Sequence, residues 1–352
     1  MNHLVIMAGG VGSRFWPMST PECPKQFIDV LGTGRTLLQL TVDRFRDVCP
    51  VENVWVVTSV RYRDLVREQL PGIPSDNILL EPCMRNTAPC IAYVTWKIKQ
   101  RDPEAVLVIS PSDHIVLDTA EFVRVVRKGV AFVSAEERIL TLGMVPTRPE
   151  TGYGYIQVKP QGTLHEGEIR DVEAFREKPD LATAQAYLSA GGYYWNAGIF
   201  LWNIRTVEKA FRDNCPAIAA VFDRLEPAFF TPQEQEEVNE LFPTCPSISI
   251  DYAVMEHARN IFVFPASFGW SDLGTWGSLY EQIPRDAAGN AVVGAGVRMV
   301  ESGGCVVHVP AGRRMVVQGL QDCIIAESDG VLLICRKSDE QRIKEFSAAL
   351  NA

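Results

Sequence analysis

The sequence has little of what several classes of protein require. It has five histidines and no His-Glu-x-x-His motif, which argues against a zinc site. No apolar run approaches the roughly 20 residues of a membrane-spanning helix, and no basic-then-apolar leader opens the chain. The net charge of −9 argues against nucleic acid as the main partner, because such proteins need a basic surface. These absences predict a cytoplasmic protein that binds neither membranes nor nucleic acid.

The nine cysteines are irregularly spaced and include no Cys-x-x-Cys pair. Their number is odd, and Cys90, Cys305 and Cys335 lie within apolar runs, so reduced and mostly buried thiols are expected. A hydrophobic content of 47% with 22% charged residues is ordinary for a globular enzyme. A chain of 352 residues can form one large domain and a smaller one.

A glycine-rich loop follows the first predicted strand. The apolar residues 4–7 run directly into Ala-Gly-Gly-Val-Gly-Ser-Arg at residues 8–14. Glycines in such a loop let backbone N–H groups approach phosphate oxygens. No Gly-Lys-Ser/Thr closes the loop, and Phe15 replaces the third glycine of a dinucleotide fingerprint. Arg14 and Lys25 add two cations, so phosphate binding is favoured over a plain glycine turn.

Apolar strands alternate with helical patterns through residue 142, which predicts a Rossmann-like, mostly parallel sheet with helices on both faces. Ligands of such α/β sheets bind beyond the carboxyl ends of the strands, so the following loops should carry the chemistry. A shift to Pro, Asp, Ala and Gly near residues 284–290 predicts a boundary between domains 1–284 and 285–352. The second domain has short strands separated by turns, typical of a small β-solenoid or barrel, and a closing amphipathic helix.

Four further segments carry polar side chains after or within apolar strands. Residues 81–89 offer a carboxylate, an amide and a hydroxyl to a base or ribose, or else Asn86 or Thr87 merely caps a helix. Asp113 and Asp272 each follow a strand; they are either turn aspartates or the two carboxylates that commonly hold Mg²⁺ beside phosphates. Asn196 in an apolar strand either satisfies buried backbone or faces a ligand.

In combination these segments resemble the sugar-1-phosphate nucleotidyltransferase family. The matching motifs occur in the family order from residue 3 to about 276. Besides the glycine loop they include Pro-Lys-Gln-Phe at 24–27, Arg-Asn-Thr-Ala-Pro at 85–89, Thr-Gly-Tyr-Gly-Tyr at 151–155, Glu-Lys-Pro at 177–179, Ser-Ile-Asp-Tyr at 249–252 and Trp-Ser-Asp at 270–272. The Pro-Lys-Gln-Phe, Arg-Asn-Thr-Ala-Pro and Ser-Ile-Asp-Tyr motifs indicate the mannose branch of the family.

The resemblance implies transfer of GMP from GTP to mannose 1-phosphate, giving GDP-mannose and pyrophosphate by an Mg²⁺-dependent in-line displacement. The same chemistry on another nucleotide and hexose 1-phosphate stays open, as does a non-catalytic regulatory subunit of the same fold. A homodimer, a short left-handed β-helix in residues 285–352 and the absence of a fused isomerase domain are further expectations.

The resemblance also implies a role for each matching residue. The catalytic residues would be Arg14 and Lys25, and the Mg²⁺ ligands Asp113 and Asp272. The sugar phosphate would be bound by Gly152, Glu177, Lys178 and Asn196. The nucleotide would be bound by Ala8, Gly9, Gly10, Gly12, Ser13, Glu81, Asn86, Thr87 and Ser112.

Overall fold

The computed structural model describes residues 1–10 and 12–350, apart from the side chain of Ser13. The described residues form ten α-helices: α1 (Leu37–Arg44), α2 (Arg63–Gln69), α3 (Thr87–Lys99), α4 (Thr119–Ser134), α5 (Leu181–Ala190), α6 (Ile204–Asn214), α7 (Pro216–Leu225), α8 (Glu234–Leu241), α9 (Trp276–Gln282) and α10 (Ile343–Leu350). None of these helices is long and apolar enough to span a bilayer.

The strands in the same part of the chain are β1 (Asn2–Ala8), β2 (Val54–Ser59), β3 (Ile78–Glu81), β4 (Val106–Pro111), β5 (Ile115–Val116), β6 (Ile139–Met144), β7 (Tyr155–Val158), β8 (Leu164–His165), β9 (Ile169–Arg176), β10 (Tyr193–Asn203), β11 (Ile261–Ala266), β12 (Trp270–Ser271), β13 (Ala291–Val293), β14 (Val297–Val300), β15 (Val306–His308), β16 (Met315–Gln318), β17 (Cys323–Ser328) and β18 (Val331–Arg336).

The chain divides into two compact units, of which the larger comprises Met1–Gly9, Val42–Ser112 and Val116–Trp270. Its sheet has the order β3-β2-β1-β4-β10-β6-β11-β9-β7, with β8 paired to β9. The apolar strands β3, β2, β1 and β4 are mutually parallel, as the sequence predicts. The long strand β10 runs antiparallel to both β4 and β6, so the sheet as a whole is mixed rather than mostly parallel.

Helices cover both faces of this sheet. Alternate residues of β10 pack against helices on opposite faces. Phe200 and Trp202 belong to the apolar cluster that includes Trp96 of α3. Leu201 points the other way, toward α4, because a Cβ added to Gly129 of that helix would lie 3.0 Å from a Leu201 methyl group. A strand buried on both faces has no polar side to present, which explains the apolar run at residues 199–202.

Local sequence signals set the helix boundaries. The side-chain oxygen of Asn86 accepts the Thr87 N–H at 2.9 Å and so caps α3, as one of the two alternatives predicts. Helices α6 and α7 are divided at Cys215, because Pro216 has no N–H and starts α7. A π-helix spans Asp251–Met255.

The smaller unit comprises Gly10–Thr41, Asp113–Ile115 and the chain from Ser271 onward. In it β13, β15 and β17 pair in parallel, as do β14 and β16, and β18 closes the set antiparallel to β17. Cys305, Val307 and Val309 alternate into a small apolar cluster with Val317 and Ile325. The C-terminal region is therefore β-rich with parallel pairing between successive turns of chain.

A second apolar cluster joins the segment after the glycine loop to this β-rich region. Phe15 packs on Trp276 with ring centroids 5.3 Å apart, and both belong to a cluster that includes Ile324 of β17 and Ile343 of α10. Residues 10–41 and 271–284 thus belong to the same compact unit as the C-terminal strands. The domain boundary at residues 284/285 stays a prediction.

Candidate functional site

A cavity of about 300 Å³ lies in the smaller unit. Cationic, carboxylate and small residues line it together: Gly12, Arg14, Phe15, Lys25, Asp113, His114, Asp272, Gly274 and Lys344. Five of these are residues that the sequence predicts for phosphate or Mg²⁺ binding. The fold therefore brings both predicted catalytic cations and both predicted metal carboxylates to one cavity.

Lys25, which lines this cavity, is held in place by protein oxygens. Its ammonium group lies 3.1 Å from the Asp113 carboxylate and donates to the backbone oxygens of Asp272 at 3.0 Å and Leu273 at 2.9 Å. An ammonium has three N–H donors, and these three oxygens match that number. The side chain is only 9% exposed and lies over the Phe15 ring. Lys25 thus joins three separate segments of the smaller unit.

Gly12 makes room for this lysine. Its φ of 55° lies in the left-handed region that disfavours residues with a Cβ. A Cβ at this position would also come within 2.8 Å of the Lys25 Cγ. The neighbouring loop is fixed by Gln26, whose side-chain amide donates to the Gly10 oxygen at 2.9 Å. The glycine is therefore required both for the backbone turn and for the close approach of the lysine.

The two carboxylates of the cavity suit a hard cation. Burial acts to raise the pKa of Asp113, but Lys25 and His114 outweigh it and hold that pKa below its usual value. The Asp272 carboxylate accepts the Gly274 N–H at 3.0 Å. Among the described residues no group of three or more His, Cys, Asp or Glu could hold a metal alone. Two carboxylates completed by phosphate oxygens and water are the usual Mg²⁺ environment, so the donor set fits that ion.

A second polar cluster lies in the larger unit and contains three of the predicted sugar-phosphate residues. The side-chain amide of Asn196 donates to the Asp251 carboxylate at 2.8 Å. The Lys178 ammonium contacts the Glu177 carboxylate. Gly154 is the glycine that packs on Glu177, since a Cβ there would lie 2.5 Å from a Glu177 carboxylate oxygen. Two carboxyls, an amide and an ammonium thus surround one small region.

The sequence predicts no individual role for Asp251, although its Ser-Ile-Asp-Tyr motif indicates the mannose branch. Burial raises the pKa of Asp251 to about 6, the Glu177 charge acts in the same direction, and Asn196 and Lys178 act against it. Its contact with Asn196 depends on the fold, because the two residues are 55 positions apart along the chain. The sequence alone therefore does not show that contact.

The predicted base- and ribose-binding residues occupy the start of α3 and the end of β3. Burial raises the pKa of Glu81 to about 8, with the Cys90 thiol acting in the opposite direction. The Thr87 hydroxyl accepts the Ile250 N–H at 2.9 Å. A Cβ on Gly9 would lie 3.9 Å from a Glu81 carboxylate oxygen, so Gly9 and Glu81 are neighbours. Their contact with a nucleotide stays a prediction.

Three other predicted residues make local backbone contacts. The Ala8 oxygen accepts the Thr58 hydroxyl at 2.8 Å, and the Ser112 N–H donates to the Met7 oxygen at 3.2 Å. The Gly152 N–H donates to the Glu150 carboxylate at 3.0 Å. The side chain of Ser13, also predicted to bind nucleotide, lies outside the described residues.

Comparisons with known proteins extend over the whole chain. A family model described as Nucleotidyl transferase matches residues 3–289. The alginate biosynthesis protein AlgA of Pseudomonas aeruginosa is 36% identical over 99% of this chain and 72% of its own length. The mannose-1-phosphate guanylyltransferase of Escherichia coli K12 is 35% identical over 99% of this chain and 73% of its own length.

Among solved structures, a Thermus thermophilus protein named mannose-1-phosphate geranyltransferase superposes with a TM-score of 0.89. It is 31% identical, and the match covers 100% of this chain and 99% of that one. The identity, the coverage and the agreement of the backbones all point the same way. The chain belongs to the nucleotidyl transferase family.

Proposed function

We propose that this chain transfers GMP from GTP to mannose 1-phosphate and releases pyrophosphate. The observation that carries this proposal is the cavity in which Arg14, Lys25, Asp113 and Asp272 meet beside Gly12. The described lining residues include cations and carboxylates but no nucleophile–base pair, which suits phosphoryl-type transfer, in which positioning and charge neutralisation supply the catalysis. The mannose-1-phosphate guanylyltransferase name of an Escherichia coli relative supports the choice of substrates.

The reaction needs no covalent bond to the protein. A phosphate oxygen of mannose 1-phosphate forms a bond to the α-phosphorus of GTP. The bond from that phosphorus to the bridging oxygen of the β-phosphate breaks on the opposite side, and pyrophosphate leaves with that oxygen. Arg14, an exposed cation on the wall of the cavity, neutralises the charge that grows on the leaving pyrophosphate. The glycine-loop N–H groups bind the phosphates of the nucleotide.

Asp113 and Asp272 would hold the Mg²⁺ ion of this reaction. The ion, when bound, supplies neutralisation of the phosphate charges. The protein's own contribution is to keep the Asp113 carboxylate ionised and fixed, which Lys25 does by direct contact at 3.1 Å. The Asp272 carboxylate is fixed by the Gly274 N–H in the same way.

Hexose binding falls to the polar cluster of the larger unit. Lys178, whose side chain is 62% exposed, carries the charge that suits the phosphate of the sugar. Glu177 and Asn196 place a carboxylate and an amide, the kinds of group that sugar hydroxyls require, in this cluster. In this proposal Glu81, Asn86 and Thr87 bind the base and ribose of the nucleotide.

A non-catalytic regulatory subunit of the same fold is the competing function. A panel of nucleoside triphosphates and hexose 1-phosphates, assayed for pyrophosphate release with Mg²⁺, distinguishes the two. We expect release to be fastest with GTP and mannose 1-phosphate. Fastest release with another pair would change the assigned substrates, and no release with any pair would favour the regulatory subunit.

We make two further proposals, one on the sense of the C-terminal β-helix and one on the oligomeric state. The parallel pairing of β13, β15 and β17 and of β14 and β16 supports a short β-helix, for which we propose the left-handed sense. We also propose a homodimer, which light scattering of the purified protein would test.

A further inference from the structure

Asn196 has little hydrogen-bonding capacity left for a sugar. Its side-chain oxygen accepts the Gly198 N–H at 3.1 Å, and its nitrogen donates to Asp251 at 2.8 Å. The Thr141 hydroxyl lies 3.3 Å from both this oxygen and the Ile199 backbone oxygen, so the two acceptors share its one hydrogen. A primary amide has two donor hydrogens and two acceptor lone pairs, so two of its four positions are used and a third is shared. The amide is thereby fixed in one orientation, with its nitrogen directed at the Asp251 carboxylate.

Asp251 is fixed from its backbone as well. It opens the π-helix Asp251–Met255, a rare conformation that occurs often at functional sites. The segment before it is attached to the start of α3: the Ile250 N–H donates to the Thr87 hydroxyl at 2.9 Å, and the Ala88 N–H donates to the Ile248 oxygen at 3.1 Å. A carboxyl fixed on both sides is preorganised for a ligand, since little conformational freedom is lost on binding.

The charges around Asp251 are unfavourable for a purely structural residue. Burial raises the pKa of Asp251 and the Glu177 carboxylate raises it further, while the Asn196 hydrogen bond, the Asp251 backbone N–H and the Lys178 charge act against that rise. Two neighbouring carboxyls in a largely buried place destabilise a fold, which makes such a pair a candidate for ligand binding. Vicinal sugar hydroxyls donate hydrogen bonds to carboxylate oxygens and would relieve this unfavourable arrangement.

We propose that Asp251 binds hydroxyl groups of the hexose and that Asn196 is a positioning residue that acts through Asp251. This inference rests on the proposed transfer of GMP to a hexose 1-phosphate, and it adds a residue to the sugar side of that reaction. It also changes the role of Asn196, which orients the carboxyl instead of touching the sugar.

The test compares Asp251→Asn with wild type in steady-state kinetics and in calorimetric binding of mannose 1-phosphate. The substitution keeps the size of the side chain and removes the charge. We expect the KM for mannose 1-phosphate and its Kd to rise by about 10- to 100-fold, as for loss of a hydrogen bond to a charged group. The KM for GTP should stay within about twofold. Glu256→Gln, the same change on an exposed residue of the same segment, is the matched control.

An Asp251→Asn protein that transfers GMP with an unchanged KM for mannose 1-phosphate would overturn the inference and leave the proposed function intact. A wild-type protein that releases no pyrophosphate with any pair would overturn the proposed function instead. Calorimetry still reports hexose binding in that case, and an unchanged Kd in Asp251→Asn would then overturn the inference too.

Asn196→Ala and the double variant test the positioning role. The double variant combines Asn196→Ala with Asp251→Asn. If Asn196 acts only through Asp251, this double variant has the same KM for mannose 1-phosphate as the single variant with the higher KM. Multiplied effects would show that Asn196 contacts the hexose itself and would overturn its assignment as a positioning residue. Thermal unfolding of each variant establishes that the changes in KM arise in a folded protein.

Discussion

Replacing Lys25 by methionine tests whether this lysine holds the phosphate cavity together. Methionine keeps a linear side chain of similar size over the Phe15 ring and removes only the charge and its three donors. The Asp113 carboxylate and the backbone oxygens of Asp272 and Leu273 would lose their common partner. The predicted result is a marked loss of stability in addition to any loss of activity.

The structure sets the size of this effect. Removing one partner of a buried ion pair costs about 3–5 kcal/mol, because the other charge stays in a poorly solvated place. The Asp113 side chain is 24% exposed, so water reaches it and the lower end of that range applies. We expect Lys25→Met to lower the free energy of unfolding by about 3 kcal/mol. Urea unfolding followed by tryptophan fluorescence and by circular dichroism measures this loss.

Lys344→Met is the matched control, because Lys344 lines the same cavity but is exposed. Its removal should change stability by no more than about 0.5 kcal/mol. A loss below about 1 kcal/mol in Lys25→Met, or an equal loss in Lys344→Met, would refute a structural role for the lysine. If Lys25→Met unfolds like wild type while its KM for GTP rises, the lysine binds substrate and does not hold the cavity together.

Three other substitutions separate catalysis, sugar binding and stability. Arg14→Ala should abolish pyrophosphate release and leave the circular dichroism spectrum unchanged, because the side chain is exposed; wild-type turnover would remove Arg14 from the reaction. Lys178→Ala should raise the KM for mannose 1-phosphate and spare that for GTP, and an effect confined to GTP would contradict its placement. Glu81→Gln should exceed wild type in stability at about pH 9, and urea unfolding should show this advantage shrinking toward pH 4.5. The folded pKa of Glu81 is about 8 against 4.5 unfolded, so the unfolded chain binds fewer protons in that window and wild-type stability falls as the pH rises. An advantage that is independent of pH would contradict the burial of an ionisable Glu81.

Local signals made the elements of the chain predictable. The apolar run at residues 4–7 gives β1, and the Asn86–Thr87 pair gives the cap of α3, because both depend on neighbours in the sequence. The insertion of β10 between β4 and β6 was not predictable, since strand order depends on contacts between distant segments. The first half of the chain therefore predicts a mostly parallel sheet, whereas the sheet in the structure is mixed.

In the candidate site, too, single residues are predictable from local motifs, but contacts between distant segments are not. Motifs identified Lys25, Asp113 and Asp272 one by one, but only the fold shows that the lysine donates to a residue 247 positions away. The sequence therefore predicts that Lys25 binds phosphates, and it does not indicate the three protein oxygens to which the lysine donates in the fold. The cluster around Asp251 was missed for the same reason, because its partners come from separate strands and loops.

The most direct test of the proposed function is product analysis with GTP, mannose 1-phosphate and Mg²⁺. The purified chain should form GDP-mannose and pyrophosphate in equal amounts, identified by chromatography and mass spectrometry. Asp272→Asn, which keeps the shape of the side chain and removes one predicted Mg²⁺ ligand, should form neither product at a comparable rate. A folded wild-type protein that leaves both substrates unchanged would contradict GMP transfer.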